Sequence, residues 1–562
     1  MSPQAQTATT QARSEHVRMV LCDSLEKVFP DAEPREFTAD IPAVVYAGSR
    51  TAVQVALLAT AAEAGQTVAR PEVSVQCPDG VSALVQQVDL VPVSLPAPAD
   101  ADPNEYLRLA PGLYPDLLRP IEGRPDLTTG SWHALWITLE AAPDASTART
   151  SAQISVRMED GAELTVSAPL LVVGSTLGEL PLVNTHWFHV DGLLHQYSLE
   201  PFSERYWEVI EAFLRAAADM SVNSVLTPVW TPPLDTEENT ERTPTQLLRI
   251  IDDGEGTYRF ETEHLDRWLE VARRVGITHL EVPHLFTQWG ARATPSIWVQ
   301  TPNGPEQRFG WDVPADDPSY RALLEQLLPF LITHLDETWG RDKVIFHISD
   351  EPNEDNLPTY GAAHAVVADL LADVTVVDAL SSYSFYDKGL VKVPVAAVDH
   401  AAPFLAGGVK DLWVYYCMGQ TRGVSNRFIA QPSVRNRALG TQLAVNRAGG
   451  FLHWGFNFYN AQLSLHPINP FLDTCSAGAF YGGDPFMVYP GVGGVPVRSI
   501  RSEVFAEAMV DVRAAALLRE TIGEERADAI LRRDWAVGYD LPVIEADEVR
   551  RLAHEVAEEI LA

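Results

Sequence analysis

Cysteine is scarce in this chain and follows no recognisable pattern. Of 562 residues only four are cysteine, at Cys22, Cys77, Cys417 and Cys475, and no two are spaced as CxxC. The sequence therefore predicts neither a zinc finger nor a disulfide framework, and a reducing compartment is the default expectation. Because residues 1–13 contain no basic segment leading into an apolar run, we expect no secretory signal and a cytoplasmic protein.

Long apolar runs and positive charge are also lacking. No stretch reaches the roughly 18 uninterrupted apolar residues that a membrane span requires. Lysine and arginine together number 41, against 76 aspartates and glutamates, so the formal net charge is −35. Nucleic acids and anionic membranes bind clustered positive charge, so we expect neither as a partner. A neutral or cationic ligand is favoured.

Motifs of three common enzyme classes are missing. No GxGxxG lies between a candidate strand and a helix, and no GxSxG nucleophile motif occurs. The glycine-rich residues 482–494 contain two prolines and no Lys-Ser or Lys-Thr pair, which favours a rim loop over a phosphate-binding loop. These absences argue against a dinucleotide-binding fold and against a serine hydrolase.

The first third of the chain has the pattern of an all-β domain. Between about residues 19 and 173, short runs rich in β-branched and aromatic residues recur at intervals of roughly ten to twenty residues, separated by proline and glycine. This pattern predicts an antiparallel β-sandwich, with the proline-rich residues 92–103 as a loop inside it.

After about residue 180 the pattern changes to alternating strands and helices. Eight strands with helices between several of them predict a (β/α)8 barrel, with an open doubly wound sheet as the alternative. The expected domains are a β-sandwich over residues 1–178, a catalytic barrel over 179–502 and a helical segment over 503–562 packed on the barrel. The candidate strands are 183–190, 222–229, 277–285, 344–349, 374–381, 393–398, 412–417 and 450–456, and the candidate helices are 204–218, 263–275, 318–337, 357–371 and 434–448.

Two adjacent carboxylates, Asp350 and Glu351, follow the fourth candidate barrel strand and precede Pro352. Neighbouring residues on a strand point to opposite faces, so the two can share one site only if the backbone turns out of the ladder. Pro352 favours that turn because it cannot donate a ladder hydrogen bond. Barrel enzymes place their chemistry at such strand ends, although a solvated loop that opens a helix would have the same composition.

The other candidate strand ends also carry polar and aromatic side chains. Flat aromatic rings beside carboxylates and amides suit a sugar, whose C–H faces stack on rings while its hydroxyl groups need oriented hydrogen bonds. Packing in the core or at the rim is the alternative for each of them. These candidate substrate-binding residues are Trp187, His189, Asp191, Trp230, His284, Trp289, Tyr383, Asp399, His400, Tyr415, Tyr416, Trp454 and Asn457.

Five histidines near strand ends raise the alternative of a metal site together with Asp350 or Asp399. Their spacing matches no known metal motif, so we expect no metal and no cofactor. These histidines are His189, His284, His347, His400 and His453.

Several blocks together resemble the catalytic domain of glycoside hydrolase family 123. Their order and spacing cover roughly residues 180–520, and the β-rich N-terminal part resembles that family's sandwich domain. The blocks are FHISDEP at 346–352, LWVYYC at 412–417, GFLHWGFN at 450–457, Gly483-Asp484 with VYPG at 488–491, and SIRSE at 499–503.

The resemblance implies an exo-acting β-N-acetylgalactosaminidase or related β-N-acetylhexosaminidase with a retaining, substrate-assisted mechanism. In that mechanism Glu351 protonates the leaving oxygen, and Asp350 orients the 2-acetamido group, whose carbonyl oxygen attacks the anomeric carbon. The resemblance also implies a tyrosine on the acetamido oxygen, with Tyr383 and Tyr416 as the two candidates, and adds Asp484 to the substrate-binding residues.

Two other functions stay open at this point. If the second carboxylate is Asp191 or Asp399, the protein is a conventional two-carboxylate glycosidase that acts on a sugar without an acetamido group. An aromatic mouth without catalysis would instead make the protein a glycan-binding protein, although the presence of both Asp350 and Glu351 argues against that.

Overall fold

The computed structural model describes residues 9–60, 67–254 and 256–562. Residues 1–8, on which the expectation of no export signal partly depends, lie outside the described residues. The chain divides into two compact units: one comprises Met1–Pro181, Thr421–Asn446 and Val497–Ala562, and the other Leu182–Gln420 and Arg447–Pro496. The domain boundaries expected at residues 178 and 502 stay predictions.

The N-terminal part of the first unit is the predicted β-sandwich. A six-stranded sheet has the order β1-β2-β4-β10-β7-β8 and a four-stranded sheet the order β3-β12-β11-β6, while β5 pairs with β9. Side chains of both sheets, among them Val55, Leu135, Ile154 and Val166, share one buried cluster. The strands are β1 (Gln11–Arg13), β2 (Val17–Asp23), β3 (Ala43–Ala47), β4 (Arg50–Ala59), β5 (Val68–Ala69), β6 (Glu72–Gln76), β7 (Val81–Val93), β8 (Gly112–Pro120), β9 (Leu127–Thr128), β10 (Trp132–Ala141), β11 (Ala148–Arg157) and β12 (Glu163–Thr176).

One pair in the sandwich departs from the expected antiparallel pattern. Strands β3 and β12 run parallel, with Val44 opposite Leu171 and Val45 opposite Val172. Eight strands separate the two along the chain, so no hairpin fixes their relative direction, and hairpins are what make sequential neighbours antiparallel.

The second unit contains a closed barrel of eight strands, which confirms the predicted (β/α)8 architecture. The order around the barrel is β13-β14-β17-β20-β21-β22-β23-β24, and all neighbouring pairs are parallel. Apolar side chains that alternate along these strands, such as Leu226, Val377, Val395 and Leu452, form the barrel's core. The barrel strands are β13 (Val183–His186), β14 (Ser224–Leu226), β17 (His279–Glu281), β20 (Val344–Phe346), β21 (Thr375–Leu380), β22 (Val393–Ala397), β23 (Trp413–Tyr415) and β24 (Gly450–His453).

A second sheet, which the sequence did not predict, is inserted between barrel strands. It has four strands in the order β16-β15-β18-β19, and a separate two-stranded ribbon joins β25 to β26. Its strands lie after β14 and after β17, at the end of the barrel where the carboxyl ends of the strands are found. The remaining strands are β15 (Arg249–Gly254), β16 (Thr257–Glu261), β18 (Ile297–Thr301), β19 (Gly304–Phe309), β25 (Tyr489–Pro490) and β26 (Pro496–Val497).

The helices agree with the five predicted ones to within a few residues. Helix α2 begins at a Ser203 cap that accepts a hydrogen bond from the backbone N–H of Tyr206, and Asp317 with Pro318 opens α4. Helices α8 to α11 belong to the first unit. The helices are α1 (Val190–Tyr197), α2 (Glu204–Ala218), α3 (Glu263–Arg274), α4 (Pro318–Thr338), α5 (Leu357–Val367), α6 (Ser384–Asp387), α7 (Ala402–Ala406), α8 (Ser433–Val445), α9 (Ile500–Ile522), α10 (Glu524–Leu531) and α11 (Ala546–Leu561).

Within the first unit, α8 and α9 pack at close range. A Cβ on Gly440 would lie 2.1 Å from the carbonyl oxygen of Ala508, so only glycine permits this approach. The Arg437 side chain pairs with Glu507 and Asp511 across the same contact. Among the described residues, no helix combines the length and apolar character that a membrane span needs.

Candidate active site

The backbone turns out of the barrel ladder where the two adjacent carboxylates lie. Strand β20 ends at Phe346, and Glu351 has a φ of 43°, a left-handed conformation that non-glycine residues seldom adopt. The carbonyl oxygen of Asp350 accepts a 2.9 Å hydrogen bond from the backbone N–H of Trp289. The turn that the sequence required for a shared site is therefore present.

Asp378 on the neighbouring strand β21 stabilises this strand end. Its Oδ1 accepts a 2.9 Å hydrogen bond from the backbone N–H of Ile348, and its Oδ2 accepts one from the Tyr360 hydroxyl. The Ser349 hydroxyl donates to the carbonyl of Thr287 at 2.9 Å. Side chains thus replace ladder partners after the strand has ended, and they fix the two residues that precede Asp350.

Asp350 and Glu351 both line one open pocket at the mouth of the barrel. The pocket encloses about 710 Å³, its open mouth included, which is a usual size for a small-ligand site. Most of its wall is aromatic or aliphatic, and its polar groups include three carboxyl groups, the Gln462 amide and the Tyr415 hydroxyl. The lining residues are Trp187, Leu234, Asp235, Trp289, Asp350, Glu351, Ala379, Tyr415, Cys417, Met418, Leu452, Trp454, Gln462 and Phe480.

Glu351 has a hydrogen-bond donor from strand β23. The Tyr415 hydroxyl donates to Oε1 of Glu351 at 2.7 Å, and Cys417 Sγ lies 4.0 Å from the same oxygen. Burial raises the pKa of Glu351, the bond from Tyr415 opposes that rise, and the charge of Asp399 adds to it. A protonated carboxyl group keeps one acceptor oxygen, so the bond from Tyr415 is compatible with a proton on Oε2.

Asp350 lies in a strongly anionic environment. Burial raises its pKa well above the usual range, and the negative charges of Glu351, Asp378 and Asp235 raise it further. Two buried carboxyl groups on neighbouring residues do not both ionise readily, so they titrate as a pair that retains a proton toward neutral pH. One member of the pair can then act as an acid while the other is a carboxylate.

A layer of buried ionisable groups lies under the Trp187 side of the pocket. The Trp187 indole donates to Oε2 of Glu281 at 2.9 Å, and His347 Nε2 lies 3.2 Å from the same oxygen. The His284 ring stacks on His347 at 4.5 Å between centroids, and burial holds its pKa well below the usual range. His284, which the sequence placed among the sugar contacts, is therefore a neutral core residue beneath the pocket.

His284, His347 and Asp378 are also grouped closely enough to bind a metal. One ligand atom from each lies within 4.8 Å of the others, and all three are buried. Both oxygens of Asp378 already accept hydrogen bonds, from Ile348 and Tyr360. This grouping leaves a bound divalent cation as an alternative to a metal-free site, and chelation tests it.

His189 and Asp191, from the end of the first barrel strand, lie behind the pocket wall. Asp191 forms a buried ion pair with Arg242 at 2.6 Å. Burial raises the pKa of Asp191, but the Arg242 guanidinium lowers it by more, so the net pKa lies below the usual value. His189 Nε2 contacts the carbonyl oxygen of Trp454 at 2.8 Å, and burial lowers its pKa to about 3. Strand β13 ends at His186 instead of reaching residue 190, because Asn457 takes the backbone N–H of His189.

The remaining predicted residues lie outside the pocket lining. The Trp230 indole donates to the carbonyl of His284, and the Asn457 amide donates to the carbonyl of His189. Asp399 contacts His400 and the Gln420 amide.

Two aromatic candidates also pack away from the pocket, and one acidic candidate supports it. Tyr383 packs on Phe404, and Tyr416 packs on His453. Asp484 accepts a 3.1 Å hydrogen bond from the Trp454 indole and so orients a lining residue. Of the three tyrosines at the strand ends, Tyr415 is the one that lines the pocket.

Several lining residues were missing from the sequence-based set. Asp235 comes from the loop after β14, Gln462 from a 3-10 turn at Gln462–Ser464, and Phe480 from a later loop. Cys417 and Met418 follow β23. Apart from Cys417, which ends the candidate strand 412–417, these residues lie in loops without periodic patterning, so no signal in the sequence singled them out.

Comparison with known proteins identifies a family for the chain. The model of the glycoside hydrolase 123 catalytic domain matches residues 187–518. A family 123 glycoside hydrolase from Clostridium perfringens, described for glycolipid glycan hydrolysis, aligns with a TM-score of 0.71 at 14% identity, over 97% of this chain and 97% of that one. A Bacteroides ovatus GH5 xyloglucanase aligns with a TM-score of only 0.32 at 9% identity, over 84% of this chain and 98% of that one.

No sequence among curated proteins matches the chain. The family model covers more than half of the chain, and it includes seven of the eight barrel strands, the adjacent carboxylates and the pocket. The chain belongs to glycoside hydrolase family 123 and is a glycoside hydrolase.

Proposed function

We propose that the protein removes a terminal 2-acetamido sugar, with N-acetylgalactosamine as the first candidate, by retaining, substrate-assisted hydrolysis. The observation that carries the proposal is that Asp350 and Glu351, which are neighbours in the chain, both line the pocket. Conventional glycosidases need two carboxyl groups on opposite sides of the bond, about 5 to 9.5 Å apart, and neighbouring residues are poorly placed to flank a sugar in that way. Substrate assistance needs no protein carboxylate on the opposite side of the bond, because the substrate's own acetamido group attacks from there.

In the first step, Glu351 acts as the general acid. Its carboxyl proton passes to the glycosidic oxygen while the bond from that oxygen to the anomeric carbon breaks. The substrate's acetamido carbonyl oxygen forms the new bond to the anomeric carbon, giving a cyclic oxazolinium ion. Asp350, as a carboxylate, accepts a hydrogen bond from the acetamido N–H and stabilises the positive charge that develops there.

In the second step, water replaces the acetamido oxygen. The Glu351 carboxylate takes a proton from the water as its oxygen attacks the anomeric carbon, and the bond to the acetamido oxygen breaks. The acetamido group is restored, Glu351 is protonated again and the anomeric configuration is retained through two inversions. Burial raises the pKa of both carboxyl groups, that of Asp350 more strongly, so the pair retains a proton toward neutral pH. The assignment of the acid to Glu351 rests on the family resemblance, and the leaving-group comparison tests it.

The aromatic wall supports a single sugar as the group held in the pocket. Trp187 and Trp454 line it from the barrel, while Trp289 lies at the rim with 44% of its surface exposed. Ring faces of this kind stack on the C–H faces of a pyranose. An open pocket of this volume suits exo-acting cleavage, in which one terminal sugar enters the pocket and the rest of an oligosaccharide or glycolipid glycan extends outward.

The second candidate is a conventional two-carboxylate glycosidase. Asp191 is paired with Arg242 behind the wall and Asp399 lies outside the lining, so the carboxylate that favours this candidate is Asp235, a third acidic residue in the pocket. In such an enzyme Asp235 would attack the anomeric carbon or activate water, and no acetamido group would be needed.

Paired aryl β-glycosides that differ only at carbon 2 separate the two candidates. Substrate assistance predicts rapid turnover of the 2-acetamido sugar, with little turnover of the 2-hydroxy sugar and slower turnover as fluorines are added to the acetamido methyl group. Efficient hydrolysis of the 2-hydroxy sugar would overturn the proposal in favour of the conventional pair. Binding of both sugars without hydrolysis of either would favour a glycan-binding role.

A further inference from the structure

We infer that Asp235 is the anchor for ring hydroxyl groups of a neutral sugar, a binding role separate from the chemistry of Asp350 and Glu351. The inference rests on the proposed function insofar as the pocket is taken to hold one sugar ring. Asp235 lines the same pocket as the two adjacent carboxylates, but it belongs to a different loop, the one after β14.

The carboxylate of Asp235 has acceptor capacity that the protein does not use. Its Oδ2 accepts a 2.9 Å hydrogen bond from the backbone N–H of Leu463. Within the described part of the chain, that is the one hydrogen bond made to this carboxylate. Two carboxylate oxygens offer about four acceptor positions, so a ligand in the pocket can fill the others.

The protein holds Asp235 in a fixed position at some conformational cost. Asp235 has a φ of 42°, and the two residues that bind it from the facing loop, Leu463 and Ser464, have φ values of 58° and 54°. The Ser464 hydroxyl donates to the carbonyl of Asp235 at 2.7 Å. Left-handed conformations at non-glycine residues are costly and concentrate at functional sites, so three of them joined at a pocket rim are consistent with a ligand clamp.

A second contact holds the same loop from the other side. The backbone N–H of Thr236 donates to the Gln288 side chain at 3.2 Å, and the Gln288 amide donates back to the carbonyl of Thr236 at 2.8 Å. Gln288 directly precedes Trp289, whose backbone N–H binds Asp350. Asp235 is therefore tied to the same framework that positions the catalytic pair.

The charge of the pocket determines which ligand groups Asp235 can accept. None of the described residues that line the pocket is lysine, arginine or histidine. The nearby guanidinium of Arg242 is engaged by Asp191. Burial raises the pKa of Asp235 to about 6, against the lowering effects of the Leu463 N–H and Arg242, so the group is mostly ionised at neutral pH.

An ionised carboxylate without a cationic partner binds hydroxyl donors and repels anions. Sugar hydroxyl groups are such donors, and a carboxylate can accept from two neighbouring ones at once. Uronic acids and sulfated sugars would bring a further negative charge to a site that already has three acidic groups. The pocket is therefore built for a neutral sugar.

Kinetics on singly deoxygenated substrates test the inference. The substrates are the aryl 2-acetamido glycoside and its 3-, 4- and 6-deoxy analogues, with the matching 2-hydroxy series as a parallel set. The variants are Asp235→Asn, which keeps the shape and tolerates a left-handed φ, and Asp235→Gly, which removes the side chain without conformational cost. Glu237→Gln is the matched control, because Glu237 is an exposed acidic residue two positions along the same loop.

The expected result is coupling between Asp235 and at least one hydroxyl group. The wild-type kcat/KM should fall by about 10- to 100-fold on removal of that hydroxyl, the range for a hydrogen bond to a charged group. Asp235→Asn and Asp235→Gly should lose a similar factor on the parent substrate and then be nearly insensitive to the same deoxygenation. Glu237→Gln should behave as the wild type on every substrate.

Two outcomes would overturn the inference. Equal losses by the Asp235 variants on every deoxy analogue would show that the residue binds no hydroxyl group. Loss of all turnover in Asp235→Gly with recovery on added azide would identify a nucleophile instead. Efficient hydrolysis of the 2-hydroxy series would overturn the proposed function and not this inference. The dependence of kcat/KM on Asp235 and on each ring hydroxyl group can still be measured with that series.

Discussion

The Tyr415 hydroxyl and Oε1 of Glu351 are joined by a 2.7 Å hydrogen bond inside the pocket. This bond stabilises the ionised form of Glu351 and so lowers a pKa that burial raises. The two effects act in opposite directions on one group. Their balance sets the pH above which Glu351 loses the proton that the first step requires.

Tyr415→Phe should therefore move the pH profile. Removing the donor leaves burial unopposed, so the pKa of Glu351 rises and the alkaline limb of kcat/KM shifts to higher pH. We also expect an activity loss of about tenfold, because one charge-assisted hydrogen bond is removed. The profile should be measured on an aryl glycoside with a poor leaving group. An alkaline limb that stays in place or moves to lower pH would contradict the role given to Glu351.

The two carboxylates should respond differently to the leaving group. Glu351→Gln should lose about 10²- to 10⁴-fold on a substrate with a poor leaving group, the usual range for general acid catalysis. A phenolate leaving group needs little protonation, so the same variant should lose less on an activated aryl glycoside. Asp350→Asn should impair both substrates, because formation of the oxazolinium ion itself is affected.

The comparison is made on the ratio of the two rates for each variant. An equal loss in Glu351→Gln on both leaving groups would remove Glu351 from the acid role. If Asp350→Asn, and not Glu351→Gln, lost more activity on the poor leaving group, Asp350 would be the general acid and Glu351 the carboxylate. This outcome is a real alternative because the two carboxyl groups titrate as a pair.

Metal chelation separates proton-transfer catalysis from the cation alternative. In the proposed reaction every step is carried by Glu351, Asp350 and the substrate's amide, so exhaustive chelation should leave kcat and KM unchanged. The group of His284, His347 and Asp378 makes the measurement informative. Activity that disappears on chelation and returns only with a divalent ion would place a metal at that group and displace the present mechanism.

The fold could be predicted closely because its signals are periodic. All eight barrel strands lie inside the predicted ranges, and helix α2 matches its predicted bounds of 204 and 218. The strand ends were predicted less well. Strand β13 stops at His186 because Asn457, far along the chain, takes the N–H of His189, and no local pattern reports such a contact.

The pocket residues at or shortly after barrel strands were mostly predicted, whereas most of those in the longer loops were not. Tyr415 is the last residue of β23, while Asp350 and Glu351 come after β20 and Trp454 after β24, and all four line the pocket. Asp235 enters the pocket because contacts with Leu463, Ser464 and Gln288 hold its loop there.

Other predicted sugar contacts lie elsewhere because nearby partners engage them. The Arg242 guanidinium pairs with Asp191, and His347 stacks with His284. These partners lie at least 50 positions away in sequence for both pairs. The spacing of residues along the sequence does not reveal contacts between residues this far apart.

Asp378→Asn should flatten the dependence of stability on pH. Burial raises the pKa of Asp378 to about 7 in the folded chain, whereas an unfolded aspartate titrates near 4. Between these values the folded state binds more protons than the unfolded state, so this group's contribution to the free energy of unfolding falls as pH rises through the window. Asparagine has no such titration but can still accept the hydrogen bond from the Ile348 N–H.

Thermal unfolding of wild type and Asp378→Asn, followed from pH 4 to 8, measures this contribution. The Tm of the variant should rise relative to that of the wild type as pH increases toward 7, and the difference should then level off. The control is Glu237→Gln, which removes an exposed carboxylate and should leave the wild-type profile unchanged. A constant Tm difference across the whole range would mean that the Asp378 carboxyl does not titrate in this window, and the raised pKa assigned to it would be wrong.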